Sequence, residues 1–458
     1  MMPEATVDRL RELSQEELIA LVQRQAAEIR LLKAEIERLT HPPPTSRNSS
    51  HPPSRDWKAN RPGGQRRKKV GAKVGHAKTE RPLVDHPDQV IDAWAEVCTH
   101  CGSELLDQVP VRVIRRQVTE LPEIKPVVIE TRQYEVVCPG CQRVQRGTLP
   151  EGLEASRQFG PRLEAVVTYF HHEHHLGFER LCTVLRDLFG TTLSEGGAVA
   201  ILERAGAAAQ PEAEAIGERV RQSAVIASDE TSARVHGRNY WEWVFLGNGG
   251  EYHLIQRSRG QGVIDAFMRE GRAEVWVSDC WGPQLNAPSD LHQLCLPHQV
   301  RALQGLLDQR PRLEWAREMQ ALFRAAMHLG KRRETLTARG YQRQVTILER
   351  RRDRLLERQV SGVGANLLNR YRTHRAHLLV FLHRADVPSD NNACERALRP
   401  SVIHRKVMGS FRSDWGAQGY AALATVLNTT KRAGENVFQK LIGLMGQPVL
   451  HFLQPSIA

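Results

Sequence analysis

The sequence of 458 residues lacks any uninterrupted apolar run approaching the roughly 18 residues that span a bilayer, and its N-terminus lacks the apolar core of a signal peptide. We therefore predict a cytoplasmic protein without a membrane anchor. Cysteine is scarce, with eight residues arranged as two Cys-x-x-Cys pairs and four singles. That arrangement favours metal binding over a disulfide framework. At about 150 residues per domain the length predicts roughly two to four domains.

Positive charge is concentrated in one short segment. Residues 41–79 contain ten Lys or Arg against one Asp, so they carry nine of the net twelve positive charges of the chain. The segment is also rich in proline, and we predict a disordered linker that cannot fold alone. Its basic run of Arg66, Arg67, Lys68 and Lys69 predicts, in addition, an arm that binds a polyanion.

The N-terminal region contains a heptad pattern. Its positions, spaced alternately by four and three, are Leu18, Val22, Gln25, Ile29, Leu32, Ile36 and Leu39. The pattern fits either a single amphipathic helix packed on its own protein or a short coiled coil. We favour the coiled coil, because no apolar segment follows at once to provide a docking surface, and we predict self-association through it.

The two cysteine pairs, Cys98 with Cys101 and Cys138 with Cys141, have the spacing of a double-knuckle zinc site. Four thiolates suit a tetrahedral structural zinc with no open position for catalysis. Residues 111–137 between the pairs are rich in Val, Ile and Thr, which predicts short strands.

Residues 160–205 change to a helical pattern. One helix is predicted to end at Gly190 and a second to begin after Ser194 as its N-cap. Such a pair fits a DNA-binding helix-turn-helix or a merely structural helix pair. The nearby histidines spread around a helix, which favours a polar or interfacial face over a metal cluster. They are His171, His172, His174 and His175.

We predict a catalytic role for three carboxylates. Asp229 and Asp279 each end an apolar run, and Glu395 opens a late helix. The segments between predict the order β-β-β-α-β, that of a ribonuclease-H-like sheet, with the two aspartates side by side at adjacent strand ends. Three carboxylates repel one another unless cations neutralise them. Two divalent metals roughly 4 Å apart can clamp both oxygens of a phosphodiester exchange, so we predict metal-dependent phosphoryl transfer.

A long, arginine-rich helical stretch separates the second and third acids and predicts a helical insertion. Beyond Glu395 lie basic residues suited to holding phosphates near the metals. They are Arg399, Arg405, Lys406 and Arg412.

Over nearly its whole length the chain resembles the bacterial insertion-sequence transposases of the TnpC type, the insertion sequence sixty-six family. The resemblance includes the heptad helix, the Pro-rich arm and the zinc ribbon. Its most specific parts are residues 229–231, with Asp-Glu-Thr, residues 391–397, with Asn-Asn-Ala-Cys-Glu-Arg-Ala, and residues 405–413. The chain departs from many relatives around Asp279, where it has Asp-Cys-Trp rather than Asp-Gly-Tyr.

The resemblance implies a DDE triad at Asp229, Asp279 and Glu395, with Mg²⁺ or Mn²⁺ as cofactor, and a supporting Cys/His element at Cys295 and His298. It implies a nucleoid-associated enzyme that cuts the terminal repeats of its element and joins them to target DNA. It also implies accessory proteins from the same element as partners. Two alternatives remain open. One is a non-catalytic DNA-binding protein, and the other is a nuclease of the same fold that hydrolyses without joining.

These observations predict a multidomain α+β protein. Its expected parts are a coiled-coil helix (1–40), the basic arm (41–80), a zinc-ribbon domain (81–150), a helix-turn-helix-like domain (151–215), a ribonuclease-H-like catalytic domain (216–300 and 387–440), its helical insertion (301–386) and a C-terminal tail (441–458).

Overall fold

A computed structural model describes residues 14–40, 45, 47, 81–149 and 157–446 of the chain. The chain divides into two units, one formed by residues 1–57 with 128–458 and the other by residues 58–127. The basic run of Arg66, Arg67, Lys68 and Lys69 lies outside the described residues. No helix within the described ranges is long and apolar enough to cross a membrane.

The heptad segment is a helix, α1 (Gln15–Thr40). Its start is closed by a capping box, in which the Ser14 amide and hydroxyl both donate to the Glu17 carboxylate at 2.8 Å. The apolar side chains of Val22, Ile29 and Leu32 are more than half exposed. The helix is therefore confirmed, while the pairing of two protomers through it stays a prediction.

The cysteine-containing region has little regular structure. Strands β1 (Glu135–Val137) and β2 (Val144–Arg146) form a small antiparallel hairpin around the second cysteine pair. The short strands predicted across residues 111–137 are wrong except for β1, since residues 111–134 contain no strand. Val111, Val118 and Val128 are almost fully exposed, so their β-branched side chains have no surface to pack against.

The helical block consists of α2 (Pro161–Thr168), a π-helical turn (Tyr169–Glu173), α3 (Phe178–Phe189) and α4 (Glu195–Arg221). Both predicted boundaries are confirmed: α3 ends at Gly190 with φ of 60°, and the Ser194 hydroxyl accepts the Gly197 amide at 3.0 Å. Helix α4 continues past the predicted domain boundary at residue 215. Beyond that boundary the helix is anchored in the core, where Ile216 and Val220 are buried.

The centre of the larger unit is a mixed sheet of five strands. They are β3 (Val225–Val235), β4 (Arg238–Gly247), β5 (Gly250–Gln256), β6 (Ala273–Ser278) and β7 (Ser289–Leu294). The spatial order is β5-β4-β3-β6-β7. The first three strands pair antiparallel, whereas β3, β6 and β7 are parallel. Two short helices connect the later strands, α5 (Gln261–Met268) before β6 and α6 (Gly282–Leu285) between β6 and β7.

The described chain beyond β7, up to residue 446, is mainly helical. It comprises α7 (Leu296–Gln309), α8 (Glu314–Lys331), α9 (Ala338–Glu357), α10 (Val363–Thr373), α11 (Asn392–Met408), α12 (Asp414–Arg432) and α13 (Val437–Met445). Helix α13 crosses the boundary at residue 441 predicted for the tail, because Leu441, Ile442 and Met445 are buried in the core.

Alternating side chains of the sheet supply two separate cores. Val244, Val275 and Val277 face the helical stretch from α7 to α10. Trp243, Phe245 and Trp276 face α4, α5 and α12 on the other side. The sheet is therefore covered on both faces, and its strand ends are where polar side chains can reach solvent.

A buried charged network joins the sheet to two helices. The His253 ring lies between Glu242 at 2.9 Å and Glu251 at 3.2 Å, and all three side chains are almost completely buried. The Ser401 hydroxyl of α11 donates to Glu242 at 2.6 Å, and the Tyr420 hydroxyl of α12 donates to Ser401 at 3.1 Å. Burial alone would lower the pKa of His253, but hydrogen bonds and charge from the two glutamates raise it to about 9.

We expect this network to make stability pH-dependent. Because the folded-state pKa of His253 exceeds the unfolded value of about 6.5, its stabilisation is complete below pH 6.5 and is lost as pH rises through about 9. The free energy of unfolding, measured with guanidinium at pH 6 and pH 9, should fall by on the order of a few kcal/mol. His253→Gln should flatten this dependence, whereas His328→Gln, at an exposed site, should retain it. An unchanged pH dependence in His253→Gln would contradict the assignment.

Candidate active site

Asp229 and Asp279 lie where the parallel pairing of β3 and β6 ends. The last aligned pair is Ala227 with Val277, and both aspartates follow two residues later. The prediction that Asp229 ends its strand is wrong, because β3 continues to Val235 through its antiparallel partner β4. The two strands therefore separate at the aspartates, and β3 alone carries on.

Glu395 lies in the first turn of α11, whose start is held against the sheet. The Asn391 side-chain amide donates to the Ser228 carbonyl at 2.8 Å, and the Asn391 backbone amide donates to the Cys295 sulfur at 3.2 Å. Asn391 is buried, so these bonds are shielded from water. They place the turn that bears Glu395 beside the residue that precedes Asp229.

Asp229 is coupled electrostatically to both of the other predicted acids. Burial raises the pKa of Asp229 well above its ordinary value, and repulsion from Glu230, Asp279 and Glu395 adds to the rise. One backbone hydrogen bond, from the Glu230 amide at 3.0 Å, opposes the shift. The ionised Asp229 carboxylate is therefore destabilised in the protein without a bound cation.

Glu395 is turned toward two basic groups of α7. Its carboxylate lies 3.8 Å from the His298 Nε2 atom and 3.8 Å from the Arg301 guanidinium. His298 also contacts the Cys295 sulfur, at 3.1 Å from Nδ1. Burial lowers the pKa of His298, followed by repulsion from Arg301, and burial raises the pKa of Cys295 to about 12. The predicted Cys/His pair thus consists of a protonated thiol and a largely neutral imidazole that lie beside the third acid.

Sequence reasoning missed a network around Glu230. This carboxylate accepts the Arg259 guanidinium and the Gln284 amide, each at 2.7 Å. Gln284 in turn accepts the Ser228 hydroxyl and the Trp276 indole N–H. The Arg259 guanidinium also lies over the Trp281 ring, 4.3 Å from its centroid. The partners are far apart in sequence, and the motif at residues 229–231 gave no signal for them.

The donor atoms at the three acids suit a hard divalent cation, since carboxylate oxygens are the ligands of Mg²⁺ and Mn²⁺. Repulsion from the neighbouring acids contributes to the raised pKa of Asp229, and a bound cation would relieve that repulsion. Within the part of the chain that the structure describes, no three His, Cys, Asp or Glu side chains are arranged to hold a metal. Glu395 points to α7, and Asp279 accepts the Trp281 amide at 2.8 Å. A metal would need these two side chains to turn.

The predicted phosphate-binding residues lie along α11 and the loop that follows it. Arg405 donates to the Ser232 hydroxyl at 3.0 Å, which fixes it beside β3. The other three have exposed side chains: Arg399, Lys406 and Arg412. The structure thus places all four on the elements that extend from Glu395.

Each cysteine pair forms a knuckle of the same kind. The Cys98 amide donates to the Ser103 carbonyl and the Cys138 amide to the Arg143 carbonyl, both at 2.8 Å. A residue with positive φ closes each turn, Gly102 in the first and Gln142 in the second. Hydrogen bonds from Ser103 lower the pKa of Cys101 to about 7, and backbone hydrogen bonds lower the pKa of Cys138. Lowered pKa values favour the thiolates that a metal requires.

Comparison with protein families adds an independent finding. The family model described as transposase IS66 family matches residues 156–419. The model described as the zinc-finger binding domain of transposase IS66 matches residues 95–142, which include both cysteine pairs. No curated protein matches the chain.

We expect replacement of Asp229 by Asn to stabilise the protein without divalent cations. A carboxyl whose folded-state pKa is raised loses stability as pH rises above its ordinary value of about 3.9, so at pH 7 the wild type carries a cost that Asn removes. Thermal unfolding in EDTA at pH 7 should show a higher midpoint for Asp229→Asn. Asp290→Asn, at an exposed site on β7, should not show this rise. A lower midpoint for Asp229→Asn would contradict the expected repulsion.

Proposed function

Since the chain belongs to the transposase IS66 family, we propose that it cuts DNA at the ends of an insertion sequence and joins the freed 3′-hydroxyls to target DNA. The observation that carries this proposal is that Asp229 and Asp279 follow the last aligned pair of parallel strands, while the Asn391 hydrogen bond holds the turn that bears Glu395 beside Ser228. We further propose that the mixed sheet is ribonuclease-H-like. Its strand order, with the aspartates where β3 and β6 separate, supports this proposal.

Asp229, Asp279 and Glu395 would hold Mg²⁺ or Mn²⁺. When bound, the metals supply an activated water or 3′-hydroxyl and stabilise charge on the phosphate. Before a metal binds, Arg301 and His298 would keep the Glu395 side chain turned toward α7 through their contacts at 3.8 Å. Arg399, Arg405, Lys406 and Arg412 would bind the phosphates of the DNA on either side of the cut.

The other parts of the chain would bind DNA and assemble the complex. We propose that Cys98, Cys101, Cys138 and Cys141 hold a structural zinc ion, which the family match and the two knuckles support. The zinc finger, the α3–α4 helix pair and the basic arm would recognise the element ends. The exposed apolar stripe of α1 would pair protomers, so that two ends are held together. Proteins of the same element could join this assembly, which would act at the nucleoid.

The direct test is strand transfer. Purified protein would be incubated with DNA that carries the element's own ends, a target plasmid, and Mg²⁺ or Mn²⁺. Joined products should form with the wild type and with the control Asp290→Asn. They should fall by at least about 100-fold in Asp279→Asn and Glu395→Gln, because loss of a metal ligand should cost no less than loss of a supporting residue. DNA binding should remain in both variants.

The alternatives give different products. Nicked ends without joining would indicate a nuclease that only hydrolyses. Binding without cleavage by any form of the protein would indicate a DNA-binding protein with an idle site. Retained joining in Asp279→Asn would show that the triad assignment is wrong.

The zinc proposal has a separate test. Purified wild-type protein should contain about one zinc ion per chain, because four thiolates complete one tetrahedral site. Cys101→Ser and Cys138→Ser should each lose most of the zinc and weaken binding to end DNA. Cys182→Ser, which changes a half-buried cysteine of α3, should keep both. Elemental analysis provides the zinc content, and full zinc occupancy in the two knuckle variants would refute the ligand set.

A further inference from the structure

A cavity of about 680 Å³ opens beside the far end of α11. Its walls come from the π-helical turn, the starts of α3 and α4, the end of α11, and the start of α12. The loop at Phe411 is fixed to the sheet, because the Phe411 amide donates to the Arg234 carbonyl at 2.9 Å and its carbonyl accepts the His236 amide at 3.0 Å. The cavity is therefore a built feature of the fold, and its volume lies in the usual range for small-ligand sites.

Aromatic and histidine rings line the cavity, which we call the aromatic cavity. His171 stacks on Phe178 with centroids 4.8 Å apart, and His404 stacks on Phe411 at 5.5 Å. Tyr420 packs against His404 at 4.5 Å. Trp415 lies at the rim and is 39% exposed. His404, Phe411 and Tyr420 pack on one another, so the rings left for a nucleobase to stack on are Phe178 and Trp415. Nucleobases stack on such rings whatever their sequence.

Two ring nitrogens of the cavity wall, His172 Nδ1 and His404 Nδ1, are buried without a hydrogen bond within the described residues. His404 is only 6% exposed. Burial, followed by repulsion from neighbouring histidines, lowers the pKa of His404 to about 2, so the ring is neutral at pH 7. Its Nδ1 atom has almost no accessible surface, so His404 forms an uncharged wall of the cavity and the polar atoms of a ligand would need other partners.

Charged side chains of both signs line the aromatic cavity. Glu179 and Glu195 lie with Arg180 and Arg412 among the residues that line the cavity. The two carboxylates disfavour a free phosphate inside. Arg405 and Lys406 continue the positive charge along α11 outside the cavity. A bound nucleotide would therefore place its base against the rings and its phosphate near Arg412, Arg405 and Lys406.

The distance to the acids suits one DNA molecule reaching both places. His404 follows Glu395 by nine positions on α11, which is a rise of about 14 Å with the two side chains on opposite sides of the helix. At about 3.4 Å per base pair this corresponds to about four base pairs. We propose that the aromatic cavity receives an unstacked nucleobase of the element-end DNA, a few nucleotides from the cut. The inference rests on the proposed function and adds to it a binding site for a flipped base.

The test scans a single mismatch through the first ten base pairs of a duplex that carries the element end. A mismatched base costs less to unstack, so a mismatch at the position that enters the cavity should tighten binding, while other positions should not. In Trp415→Ala and Phe178→Ala this position-specific gain should vanish. Affinity for the paired duplex should fall between about 5- and about 150-fold, the range for loss of one base–ring contact. Val363→Ala, which removes an exposed apolar side chain of α10, should keep the gain.

A second measurement needs no variant. 5-Iodouracil at the sensitive position should crosslink under ultraviolet light to residues of the cavity, as mapped by mass spectrometry. Binding and cleavage of end DNA with no position-specific gain, or crosslinks only to residues elsewhere, would overturn the base pocket and leave the proposed function intact. Absence of any binding to end DNA would overturn both.

Discussion

The hydrogen bond from the Asn391 side chain to the Ser228 carbonyl is the contact on which the candidate site depends. It joins segments 163 positions apart and places the first turn of α11 beside the strand that carries Asp229. The helical stretch from α7 to α10 lies between these segments in sequence. Because this helical stretch packs on one face of the sheet, the chain that follows it returns to the strand ends. The helical stretch therefore helps to position Glu395, although it contains none of the three predicted acids.

Like charges at the site are compensated unequally. Glu230 accepts Arg259, and Glu395 lies near His298 and Arg301. Asp229 receives only a backbone amide among the described residues, and burial, followed by repulsion from Glu230 and Asp279, raises its pKa. The negative charge of an ionised Asp229 is therefore not neutralised by a basic side chain among the described residues. A cation bound there would gain from that charge, whereas a site neutralised by its own arginines would gain little from a metal.

The sequence predicted local patterns well and distant partnerships poorly. The predicted order β-β-β-α-β included β4 and β5, which turn at Gly250, where φ is 129° and a Cβ would meet Thr429 of α12. The end of the apolar run at Asp229 predicted a strand end, but β3 continues with polar residues because β4 supplies its hydrogen bonds. The contact of Glu230 with Arg259 and the burial of His253 between two glutamates have no periodic signal. Only tertiary packing brings such residues together.

Helix α11 connects these features, because each of its parts has a different neighbour. Glu395 lies at its start, Ser401 in its middle bonds the buried Glu242, and His404 near its end borders the aromatic cavity. Ser401 ties the helix to the charged network of β4 and β5, so the helix has little freedom to slide along β3. A helix fixed at this point has a constant rise. It therefore sets the spacing between the acids and the cavity, and any DNA that engages both must match that spacing.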